Sequence, residues 1–155
     1  MLHFLEEKNL ERIKSLMAIS QNCDVQSLWK LYDYVNAQGQ NEFRAWTEKL
    51  QKVEKVKLIQ KLDMLAQMGM DLLPSLLAGP VDQHIYKMKI KGDRMLRPRL
   101  CRGPVDNDRE FTLLAGAFEK QGKDVPATVN AIAIANRSAV LADPGKRRRE
   151  HERVK

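Results

Sequence analysis

Residues 86–91 read Tyr-Lys-Met-Lys-Ile-Lys, and past a Gly92-Asp93 turn signal come Arg97, Pro98 and Arg99. Successive side chains of a strand project to opposite faces, so Tyr86, Met88 and Ile90 can sit on a core while Lys87, Lys89 and Lys91 line the other side. If the segment from Met95 to Cys101 pairs back as the next strand, Arg97 and Arg99 share one face and extend the same charged surface. A row of cations is chemistry for a polyanion: it can hold phosphates. The bland reading stays open beside it, since lysines also protect solvated sheet faces and edges. Arg97 and Arg99 could equally be ion-pair partners of Asp106, Asp108 or Glu110.

The charge distribution sharpens this. The chain has 155 residues, a formal net charge of +7 and a pI near 9.5. Residues 1–83 hold 10 Lys+Arg against 11 Asp+Glu, whereas residues 84–155 hold 17 against 9. The basicity belongs to the second half, which favours a localised anion-binding surface over a uniformly positive exterior. With 43% hydrophobic and 30% charged residues the chain suffices for one compact domain. Cys23 and Cys101 lie far apart and have no metal-ligand or redox spacing, and His3, His84 and His151 do not cluster. Neither a disulfide framework nor a zinc site is indicated, and no cofactor is expected. No apolar run is long enough for a signal peptide or a membrane span. A soluble, cytoplasmic protein with no membrane partner is therefore expected.

These residues need elements to position them. Residues 3–18 read as an amphipathic helix carrying Leu10, Ile13, Leu16 and Met17 at helical spacing. Ser27 to Val35 suggest a first strand, with Gly39 marking the turn out. Asn41 is an N-cap candidate before Phe43, Trp46 and Leu50, and a second helical run carries Leu58, Ile59, Leu62 and Leu65 to a stop near Gly69. Pro74, Gly79 and Pro80 make residues 71–82 read as a packed loop. Strands follow near 84–91, 95–102 and 110–118, then a polar loop from Glu119 to Lys123. Asp124 and Pro126 open a last helix with an apolar stripe of Val129, Ile132, Ala133 and Val140, stopped by Pro144-Gly145. The final ten residues, from Lys146, are too charged to pack alone. Trp29, Tyr32, Phe43 and Trp46 are read as core. The expected fold is α+β: two N-terminal helices and a C-terminal helix on a small antiparallel sheet, with a helical extension over 1–27, the domain over 28–141 and a basic tail over 142–155.

That order resembles the RelE/HigB toxin superfamily of type II toxin-antitoxin systems, in particular its phage-derived HigB-like branch. The resemblance covers roughly residues 28–141. It is carried by Tyr86 to Lys91, similar to the Tyr-Lys-x-Lys strand of RelE proteins; by Leu96-Arg97-Pro98; by the apolar strand from Phe111 ending in Phe118-Glu119-Lys120; and by Lys123-Asp124-Val125-Pro126 leading into an Ala-rich helix. It implies a RelE-like fold and a metal-independent mRNA endoribonuclease acting on ribosome-bound message, neutralised by a small antitoxin that often carries a helix-turn-helix domain. Cleavage needs a base for the ribose 2′-hydroxyl, cations for the attacked phosphate and an acid for the leaving 5′-oxygen. Carried over by position, Lys89 is the base, Lys87 the phosphate ligand and Arg97 its brace. Lys120 is the acid or transition-state stabiliser, and Lys91 and Arg99 are further substrate-binding cations. No tyrosine follows residue 86 to stack on a base, and His151 is an alternative acid. The ParE branch, which poisons DNA gyrase without cutting RNA, supplies the rival expectation of a non-catalytic binding module.

Overall fold

A computed structural model describes residues 28–153. The helix expected over 3–18, together with His3 and Cys23, lies outside the described residues. Strand β1 is Lys30–Tyr34, followed by helices α1 (Glu42–Glu48) and α2 (Lys52–Met68) and a single 3-10 turn, Gly69–Leu72. Then come β2 (Leu77–Asp82), β3 (Ile85–Met88), β4 (Met95–Leu96), β5 (Arg99–Arg102), β6 (Glu110–Ala115), β7 (Phe118–Lys120) and β8 (Lys123–Val125). Helices α3 (Val129–Ala142) and α4 (Pro144–Arg147) and strand β9 (Arg148–Glu150) finish the fold.

The architecture is α+β. A six-stranded sheet runs β2-β3-β5-β6-β1-β9, and β4-β7-β8 form a second, three-stranded sheet. All pairs are antiparallel except β1 with β6, which run parallel. The connection between that parallel pair contains α1 and α2. One face of the large sheet packs Met88, Leu100, Phe111 and Leu113 against Phe43, Leu58, Leu62 and Leu65 of those helices. On the other face, Tyr34, Ile85, Cys101 and Leu114 meet Ala133 and Val140 of α3. The sheet is thus covered on both sides, and alternation along β3 decides which core each of its residues enters.

Local chemistry explains the helix bounds. The Asn41 side chain accepts from the Arg44 amide at 2.9 Å, capping α1. Gln51 and Glu54 form a capping box on α2, with the Gln51 amide donating to Glu54 Oε1 at 2.8 Å. Helix α2 stops at Gly69, where φ is +56° and the Trp29 indole lies in the space a Cβ would occupy. Glycine answers both demands.

Five segments depart from the sequence expectation. Residues 71–82 are not all loop: Leu77–Asp82 form edge strand β2, where Pro80 costs no central ladder bond. The expected strand over 95–102 divides at Arg97-Pro98, with β4 joining the small sheet and β5 the large one. Strand 110–118 likewise divides at Gly116, where the Trp46 ring fills the place of a Cβ. The loop over Glu119–Lys123 is instead the turn of hairpin β7-β8, with Gln121 at φ +53° and Gly122 at φ +75°, the pairing that two-residue hairpins prefer. Finally, residues 144–150 are not a free basic tail. Strand β9 pairs with β1, and its charges are absorbed locally: Arg148 reaches Glu110 at 2.7 Å and stacks 3.9 Å over the Tyr32 ring.

Candidate anion-binding site

Lys87 stands directly across the β3-β5 ladder from Arg99, so the two side chains leave the sheet on the same face. That is the face on which Ile85 and Cys101 lie under α3. Lys89 continues it: its amide donates to the Leu76 carbonyl at 2.7 Å, and its ammonium donates to the Pro74 carbonyl at 2.9 Å. Lys91 is exposed, and its carbonyl accepts from Lys57 Nζ at 3.3 Å. Lys120 is exposed at the end of β7, opposite the equally exposed Lys123 across the hairpin. Lys123 was not singled out by its sequence setting, which looked like loop.

The two arginines are used differently from the lysines. Arg99 is only 1% exposed, with Nε donating to Asn130 Oδ1 at 2.7 Å, one terminal nitrogen to the Arg97 carbonyl at 2.6 Å and the other to Asp124 Oδ2 at 2.8 Å. Arg97 is 6% exposed; it donates to the Leu96 carbonyl at 2.9 Å and meets Glu119 Oε2 at 3.3 Å. Glu119 and Asp124 are themselves cross-strand partners in β7-β8. One hairpin thus supplies a carboxylate to each arginine and fastens the small sheet to the large one. Asp106, Asp108 and Glu110 are not their partners. Asp108 bonds Arg102 at 3.2 Å and Glu110 bonds Arg148. Among the described residues, no ion pair involves Lys87, Lys89, Lys91 or Lys120, so the sequence-derived set separates into buried, neutralised arginines and lysines without carboxylate partners.

His151 lies elsewhere. Its Nδ1 is 2.8 Å from Asp33 Oδ1, its amide donates to the Leu31 carbonyl, and Asn41 donates to the other Asp33 oxygen at 2.8 Å. Strands β5 and β6 separate β3 from β1, so the Asp33 end of this pair is about 14 Å across the sheet from the lysines, three strand spacings. Asp33 also projects toward the α1-α2 side, since it alternates with Tyr34 on the α3 side. His151 borders a cleft of about 660 Å³ with Lys30, Arg109, Asp106, Glu110 and Glu150, a mixture of signs.

Among the described residues, no group of three His, Cys, Asp or Glu could hold a metal ion, and no helix is long and apolar enough to cross a membrane. Burial pushes the Cys101 thiol up to about 12, with Arg137 pulling weakly the other way. It is a core side chain and not a nucleophile. The fold and site define an α+β protein with a lysine-bearing strand face beside an arginine-locking hairpin. No family model, no curated protein and no solved structure matches the chain.

Proposed function

We propose that this protein acts on RNA as a toxin of the RelE/HigB type, seating the phosphate backbone on Lys87 of β3, on Lys89 and Lys91 just past it, and on the lysines of the β7-β8 hairpin. The observation that carries the reading is a contrast between two kinds of cation: Arg97 and Arg99 are each bonded to a carboxylate, whereas Lys87, Lys89, Lys91 and Lys120 have no acidic partner among the described residues. An extended anion meets the unpaired charges first. The chain order of strand, two helices and antiparallel strands supports the same reading through its resemblance to that superfamily. Its proposed setting is the cytoplasm, with message on the ribosome as target and a small antitoxin as partner.

In the cleaving form of this reading, Lys89 takes the 2′-hydroxyl proton, the 2′-oxygen attacks phosphorus, and the 5′-oxygen departs with a proton from Lys120, leaving a 2′,3′-cyclic phosphate. Lys87 holds the non-bridging oxygens. Lys89 Nζ donates to the Pro74 carbonyl at 2.9 Å, so bound RNA must displace that contact before Lys89 can reach a 2′-hydroxyl. A second reading has its own observation. Because Arg97 and Arg99 already have their counter-ions in Glu119 and Asp124, a binding module that occupies its target without cutting also fits.

Primer extension on a reporter mRNA in a translating extract separates the two. New 5′ ends with wild type that vanish with Lys89→Ala support cleavage. Arrested translation on intact message supports the non-cutting module. Intact message with normal translation removes both.

A further inference from the structure

Arg94 is clamped flat and left open on one side. It stands on the turn from Ile90 to Leu96, which those two residues close by exchanging backbone hydrogen bonds of 3.1 and 3.0 Å. Its Nε and Nη2 donate to the two Glu54 oxygens at 2.8 and 2.6 Å, and Glu54 is held in turn by the capping box of α2. Behind the guanidinium lies the Phe118 ring, with Cζ 4.3 Å from the ring centroid. One edge and one face are committed in this way, yet the side chain is still 45% exposed. What remains is the second face of the plane.

We propose that this open face is a stacking platform for one base of a single-stranded RNA. The inference rests on the RNA-binding reading above and names where a base, rather than a phosphate, is held. Bases of an unpaired strand stack on guanidinium planes as well as on aromatic rings. A plane already fixed by a carboxylate along its edge and a ring at its back loses little further freedom when a base covers it. Its charge is answered by Glu54, so Arg94 adds little to phosphate affinity, and the flat surface is what it still offers.

The surroundings suit a nucleotide. Beside Arg94 a cleft of about 130 Å³ opens between the start of α2 and the 91–94 turn, walled by Val53, Ile90 and Leu96 and lined also by Lys57, Lys91 and Asp93. Lys57 is positioned there: its Nζ donates to the Lys91 carbonyl at 3.3 Å and lies 3.2 Å from the point that a Cβ on Gly92 would occupy, so glycine leaves room for the ammonium. Along β7 side chains alternate, so Lys120 shares the face of Phe118, and Val125 and Lys123 share it from across the hairpin. Val125 is 46% exposed, so that face is open past the ring. Two pairs of lysines, Lys57 with Lys91 and Lys120 with Lys123, thus neighbour the platform, and none of the four has an ion pair among the described residues. A base on Arg94 leaves its flanking phosphates within their surroundings.

Fluorescence anisotropy with the full chain tests this, using an oligouridylate RNA and an abasic ribose-phosphate strand of the same length, which has the same phosphates and no bases. Wild type should bind the uridylate at least about fivefold more tightly, the low end for stacking one base. Arg94→Lys keeps a charge for Glu54 and removes the plane. It should bind the two strands alike, with its affinity for the abasic strand and its slope of log K against log salt matching wild type. Arg94→Met is the second variant, should Arg94→Lys not fold by far-UV circular dichroism, and should lose the same preference. Equal binding of the two strands by wild type overturns the platform and leaves the RNA reading standing. A preference for uridylate that survives in the folded variant also overturns it. Wild type that binds neither strand removes the RNA reading and this inference together.

Discussion

Arg99 Nη2 and Asp124 Oδ2 meet at 2.8 Å where the arginine side chain is 1% exposed and the aspartate 29%. A guanidinium buried to this degree must be neutralised, and Asn130 and the Arg97 carbonyl complete its hydrogen bonds. The same hairpin brings Glu119 to Arg97. Arg99 is therefore the bolt between the large sheet, hairpin β7-β8 and the first turn of α3.

Removing Asp124 leaves that buried charge without its counter-ion. Asp124→Ala should lower the unfolding free energy by about 3 kcal/mol, in the range for breaking a buried pair from one side. Glu119→Ala should cost less, because Glu119 meets Arg97 at the longer distance of 3.3 Å. Chemical denaturation with an unchanged m-value checks both. Equal and negligible losses would show that the hairpin is not fastened by these pairs.

The His151-Asp33 contact makes a parallel case at the other edge of the sheet. Asp33 is 2% exposed and receives Asn41 and His151, so His151→Ala should strand part of a buried carboxylate and cost about 2 kcal/mol. The effect should be directional: faster amide exchange at β9 and at the β1 amides facing it, with β3 and β5 unchanged. A uniform loss of protection would instead indicate global destabilisation.

Glu54 and Arg94 set a pH dependence. The Arg94 guanidinium, bonded to both Glu54 oxygens at 2.8 and 2.6 Å, holds the Glu54 carboxyl below its ordinary value, although burial opposes it. A lowered folded-state value means that the unfolded chain takes up the proton first. The contribution is then complete above the ordinary carboxylate range and is lost as pH falls through that range and on through the lower folded-state value. Arg94→Met should cost about 1 kcal/mol near neutrality, allowing for the 45% exposure of Arg94, and should flatten this part of the acid limb of the stability curve. Denaturant midpoints of both proteins measured across the carboxylate range check this.

Much of this arrangement was legible in the chain. Asn41 and Gly69 marked helix ends because capping is local chemistry that residue type reveals, whereas the Gln51-Glu54 box emerged only with the structure. The alternation over 86–91 placed Lys87 and Lys89 together because a strand has only two faces. Strand β2 was hidden by Gly79 and Pro80, which an edge strand tolerates. Hairpin β7-β8 was hidden because three residues per arm are too few to show a period. Strand β9 was hidden by its charge, of which Arg148 is met by Glu110 and Tyr32 from other elements. The arginines show the limit most plainly. Their need for acids was readable, but the candidates were sought in the neighbouring segment at Asp106, Asp108 and Glu110, and the acids that reach them, Glu119 and Asp124, come from hairpin β7-β8. Pairing across strands is a property of topology, which no local pattern carries.

Lys87 and Lys89 remain the central claim, and the salt dependence of RNA binding tests it most directly. Binding of a single-stranded RNA by wild type and by the Lys87→Ala, Lys89→Ala double variant would be followed as salt is raised. If both lysines neutralise phosphates, the double variant should bind more weakly at every salt concentration, and the slope of log K against log salt should shrink by about 1.4, the counterion release of two single-strand phosphate contacts. Equal affinity and equal slope for the two proteins would contradict the account.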